Sequence, residues 1–148
     1  MKRIIVFCVL ASVLVACSKD KFKTEPQVEI KSFGPSEVYK GEVFSLRATV
    51  RDNEGDLQDS LFLIRKRWSG TTLLSHDTIP FRIADFNFPD NKKIEIQALF
   101  SYGELKDNYL FANLESQDRQ FSLGVIVRDK AGHKSSYVES DKIVLKKL

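Results

Sequence analysis

Val50-Arg51-Asp52-Asn53-Glu54-Gly55-Asp56 opens with a phrase that the chain repeats as Val127-Arg128-Asp129-Lys130-Ala131-Gly132-His133. In both copies an alternating apolar segment, Phe44 to Val50 or Phe121 to Val127, runs into Val-Arg-Asp and meets a glycine three residues after the aspartate. Alternation at period two marks a strand with one buried face. An aspartate at the end of such a strand can accept backbone N–H groups a few residues on, and a glycine supplies the positive φ that a tight reversal needs. The phrase therefore reads as a turn device used twice, in a protein made of strands and turns.

The same alternation extends outward from these two segments. Val28 and Ile30 alternate with polar neighbours ahead of a Gly34-Pro35-Ser36 turn, and Ile94, Ile96, Ala98 and Phe100 form a further period-two set. Leu61 to Ile64 is continuously apolar and passes into Arg65-Lys66-Arg67-Trp68, as expected of a central strand that emerges into solvent. Thr71 to Ile79 and Phe81 to Phe88 read as two strands separated by Pro80 and closed by Pro89-Asp90-Asn91, and Tyr137 to Leu145 as the last strand. Glu104 to Leu114 is the one segment with helical potential, weakened by Asn108 and Asn113. The pattern predicts an all-β fold, a single antiparallel β-sandwich of about seven to eight strands over residues 27–148, with a closed barrel as the alternative.

Short motifs add a resemblance. "VRDKAGHKSS" resembles the Asp-x-Ala-Gly-Asn turn that joins the last two strands of many bacterial immunoglobulin-like domains, with His133 in place of the asparagine. "ATVRDNEGDLQDSLFLI", from Ala48 to Ile64, resembles the turn after the second strand of the same class. The resemblance implies an immunoglobulin-like sandwich and names no ligand.

The N-terminus carries an address. Lys2 and Arg3 precede an apolar run from Ile4 to Ala16, interrupted only by Ser12 and too short for the roughly 17 to 25 residues of a spanning helix. The run ends in Leu14-Val15-Ala16-Cys17, which resembles the lipobox of bacterial lipoproteins. That resemblance implies cleavage of a signal peptide at residues 1–16 and acylation of Cys17, with palmitate among the chains, because two or more acyl chains are needed for durable attachment. Ser18 in place of an aspartate favours the outer membrane, and residues 17–26 read as a lipidated, flexible tether. Cleavage also removes Lys2 and Arg3, so the 23 basic side chains fall by two against 20 acidic ones, and charge gives no argument for nucleic acid. Of the two cysteines, Cys8 leaves with the signal and Cys17 is taken by lipid, so the domain must be held by its core.

Three clusters are candidates for chemistry. The acidic loop Asp52, Glu54, Asp56 and Asp59 offers hard oxygen ligands of the kind calcium takes, without the order of an EF-hand. Arg65, Lys66, Arg67 and Trp68 form a basic aromatic group suited to a sugar ring or an anionic head group, set against the alternative of a packed tryptophan with a solvated charged rim. Ser75-His76-Asp77 has the letters of a catalytic triad, but neighbours on a strand point to opposite faces and cannot converge. With His76 and His133 as the two histidines and no thiolate, zinc is not expected, and no cofactor other than calcium is implied. The expectation is a lipid-anchored cell-envelope protein, not an enzyme, presenting a binding or adhesion surface to a protein or glycan partner. The alternative is a structural accessory subunit of an outer-membrane assembly, joined by strand addition.

Overall fold

The computed structural model describes residues 24–57, 59–83 and 92–147. Ten strands follow in chain order: β1 (Gln27–Gly34), β2 (Glu37–Val38), β3 (Val43–Arg51), β4 (Ser60–Ser69), β5 (Thr72–Arg82), β6 (Lys93–Tyr102), β7 (Leu110–Ala112), β8 (Arg119–Arg128), β9 (Val138–Glu139) and β10 (Ile143–Leu145). One sheet has the order β1-β3-β6-β7, and the other β2-β10-β8-β4-β5 with β9 also on β8. The chain crosses between sheets after β1, β2, β3, β5 and β7. The result is a single immunoglobulin-like β-sandwich.

The period-two residues make the core. Phe44, Leu46, Ala48 and Val50 of β3 lie beside Ile94, Ala98 and Phe100 of β6, and across the sandwich Leu61 and Leu63 of β4 join Phe121, Leu123, Val125 and Val127 of β8. Four phenylalanines tie the layers together. Phe44 stacks on Phe100 with ring centroids 4.9 Å apart, and Phe121 of the other sheet meets Phe44 edge-on at 5.6 Å and Phe100 at 6.2 Å, while Phe33 closes on Phe44 at 5.9 Å. Each fully buried side chain of this size contributes about 1.5–3 kcal/mol, and the aromatic geometry adds to that.

The structure differs from the sequence expectations in four places. Ten strands are present among the described residues, four of them only two or three residues long, and the pairs β2–β10 and β6–β7 are parallel. Residues 104–114 are not helical: they make a turn with Asn108 at φ 66°, and Leu110–Ala112 then pairs with β6, because its apolar side chains gain more against the core than in a solvated helix. Pro80 does not end a strand, since β5 continues through it to Arg82, and an edge strand has a free side where a missing N–H costs nothing. The expected strand at 137–145 is broken in two, and Ser140 fills the break. Its N–H donates to the Leu123 carbonyl at 2.9 Å and its Oγ accepts the Leu123 N–H at 3.0 Å. Residues 84–91, which include most of the expected strand ending at Phe88, lie outside the described residues, as do the lipobox and Cys17.

Candidate functional site

The two copies of the opening phrase meet at one end of the sandwich. Asp52 ends β3 and its Oδ2 accepts the N–H groups of Gly55 and Asp56 at 2.8 and 3.1 Å, while Gly55 turns at φ 78°. Asp129 ends β8 in the same manner: Oδ1 accepts the His133 N–H at 2.8 Å, Oδ2 lies 3.0 Å from His133 Nδ1, and Gly132 turns at φ 93°. The turns are joined by the Lys130 N–H donating to the Asp56 carbonyl at 3.0 Å. One carboxylate oxygen from each of Asp52, Asp56 and Asp129 lies within 4.8 Å of the others, although Asp52 is 2% exposed and Asp129 1%. Burial first, then the hydrogen-bonding proximity of Asp52 and the charge of Asp129, push the Asp56 carboxyl above its ordinary 3.8, and the Ala131 amide offsets this only in part.

The four carboxylates grouped by sequence are thus divided. Asp52 and Asp56 share the cluster. Glu54, exposed, approaches Asp129 and His133 on the outer side. Asp59 is turned away and pairs with Arg128, whose guanidinium holds its carboxyl below the usual range. Asp129 was not among the candidates, yet it sits in the second copy of the repeated phrase. Two similar turns are visible in a sequence, whereas their contact across two sheets is not.

The basic aromatic cluster is divided as well. On β4, Arg65 and Arg67 share the inward row with Leu61 and Leu63, and Lys66 and Trp68 occupy the outer face. Arg65 bonds Asp77 through Nε at 2.9 Å and the Phe111 carbonyl through Nη1 at 3.0 Å. Arg67 grips the buried Glu115, with Nε 2.6 Å from Oε1 and Nη2 2.8 Å from Oε2. Both arginines therefore serve internal ties, Arg65 fastening β7 and Arg67 the β7–β8 connection to the second sheet.

On the outer face, Trp68 Nε1–H donates to Ser122 Oγ at 2.9 Å, and Ser122 in turn donates to Glu139 at 2.7 Å. Glu139 also accepts from Lys66 at 2.6 Å and from the Tyr137 hydroxyl at 2.7 Å. Burial alone would raise the Glu139 carboxyl, but the bonds from Lys66, Ser122 and Tyr137 outweigh it and hold the group below its ordinary value. The Tyr137 ring lies over Gly124, where a Cβ would come within 2.1 Å of it, and the residue remains 41% exposed. One face of the Trp68 ring is covered by Lys142 Nζ, 3.9 Å from its centroid. Sequence reasoning found Trp68 but neither Tyr137 nor Glu139, since a broken strand carries no clean periodicity.

Ser75, His76 and Asp77 lie on alternate sides of β5, with His76 opposite Lys66 and Asp77 bonded to Arg65, so the triad letters never converge. β5 itself is the edge of the second sheet. It runs for 11 residues and is exposed along nearly all of its length.

No protein-family model matches this sequence, and no curated protein does. Among solved structures, the sporulation control protein Spo0M of Bacillus subtilis aligns over 84% of this chain and 50% of its own, at 8% identity and a TM-score of 0.42. A β-glucosidase from Listeria innocua aligns over 84% of this chain and 16% of its own, at 8% identity and a TM-score of 0.40. A CARDB domain from Pyrococcus furiosus aligns over 82% of this chain and 94% of its own, at 11% identity and a TM-score of 0.36. The chain thus spans half of the first structure's length and a small part of the glucosidase, and likenesses at these scores carry no functional argument.

Proposed function

We propose that this chain is a lipid-anchored, non-enzymatic binding module of the cell envelope, held at the outer membrane, that engages a protein partner by strand addition at β5. One observation carries the reading: among the described residues, β5 pairs with β4 on one side and has no strand on its other backbone edge over 11 residues. The other edges are poorer templates. β2 and β7 have two and three residues, and β1 has eight with a register shift between Ile30 and Ser32. An exposed edge offers unpaired N–H and C=O groups that an extended segment can complete, with alternate side chains setting specificity. The Leu14–Cys17 motif and the charged stretch after it support an anchor and a tether for such a module.

Chemical crosslinking of the full chain in its native membranes, followed by purification, tests this. The parent is expected to recover a fixed protein partner. Placing lysines on the open edge with Ser75→Lys and Thr78→Lys is expected to cut that recovery at least tenfold, with thermal stability changed by no more than about 0.5 kcal/mol. Equal recovery by the variant would sink the proposal.

A glycan partner is the second reading, favoured by the exposed Tyr137, whose ring packs against Gly124 and whose hydroxyl bonds Glu139. A glycan-array signal abolished by Tyr137→Ala would support this reading over strand addition.

A further inference from the structure

We propose that Asp52, Asp56 and Asp129 form a binding site for a hard divalent cation, calcium by the chemistry of the donors, that clamps the turn after β3 to the turn after β8. Three carboxylate oxygens within 4.8 Å of one another are no farther apart than the span across a calcium ion, twice the usual calcium–oxygen distance of about 2.4 Å. A second, independent observation concerns their bonding. Asp52 is 98% buried by the measure of its 2% exposure, and its Oδ1 has no hydrogen-bond partner, although Oδ2 accepts two amides. Oδ1 of Asp56 is likewise buried and unpartnered. Buried carboxylate oxygens ordinarily find donors, and unpaired oxygens on two of three clustered carboxylates are ligand atoms that a cation could take.

The remaining groups fit the same role. His133 holds Asp129 through both its N–H and Nδ1, which fixes the carboxylate. The donor set is therefore all oxygen, which suits calcium and disfavours zinc. Asp56 is half-buried, leaving a side where water can complete the six to eight ligands. Since β3 belongs to one sheet and β8 to the other, the ion would staple the two layers at their shared end.

The test is thermal unfolding of the full chain after treatment with a chelator, with calcium, magnesium or zinc chloride added alone. At about a hundredfold excess over Kd, calcium is expected to raise Tm by on the order of 5 °C. Asp56→Asn is expected to retain or exceed the parent's Tm in chelator and to lose the calcium rise. Asp52→Asn, which preserves an acceptor for the Gly55 amide, is expected to lose it too and serves if the first variant does not fold. Isothermal titration of the parent with calcium reads the binding directly. No calcium heat, a full rise retained in either folded variant, or a rise with zinc alone, which would place the metal on Glu54, Asp129 and His133, would overturn the proposal.

Discussion

Glu139 accepts three hydrogen bonds on a carboxylate whose pKa burial alone would raise. The bonds win, so its folded pKa lies below the ordinary 4.5, and folding gains stability from the ionised form. The sign follows from linkage: the contribution is complete above about pH 4.5 and is lost as pH falls through the lower folded value. Lys66 is raised chiefly by the same pair, so its share persists at neutral pH and fades only above its ordinary 10.5. Glu139→Gln should therefore cost about 1–2 kcal/mol near neutrality, discounted for partial exposure. In denaturant melts over a pH series, the gap between parent and variant should narrow as pH falls below 4.5. A gap of constant size down to pH 2 would remove the electrostatic account.

At the scale of elements, the interrupted last strand shows how a ladder survives a break. Ser140 replaces a strand residue with its own side chain, satisfying the buried Leu123 N–H that β9 and β10 leave between them. Ser140→Ala should leave that N–H without a partner and cost about 1–3 kcal/mol. Amide exchange at Leu123 should accelerate in the variant while the exchange of β3 amides slows or quickens only with global stability. The same element explains why period two misled at this point: side-chain substitution for a backbone bond needs only one serine, which reads as an ordinary polar position. Pro80 misled in the opposite direction, because a proline is tolerated in β5 only by virtue of its edge position, and edge position is a property of the assembled sheet.

At the scale of the whole molecule, the proposed function would divide anchorage, at residues 17–26, from recognition by the sandwich. Cys17→Ser should shift the protein from the membrane fraction to the soluble fraction, read by fractionation and by mass spectrometry of the N-terminal peptide. Retention of the variant in the membrane would refute anchorage by lipid. The sequence by itself determined the strand faces, the two aspartate–glycine turns and the all-β class, because side-chain alternation and turn chemistry are local properties of a chain. Only the tertiary structure decided that Asp129 joins Asp52 and Asp56 while Asp59 leaves for Arg128, that Arg65 and Arg67 turn inward while Trp68 stays outside, and that β5 forms an edge. The physical reason is common to all three. Each depends on which strands lie side by side and which turns share an end, and those neighbours are far apart along the chain.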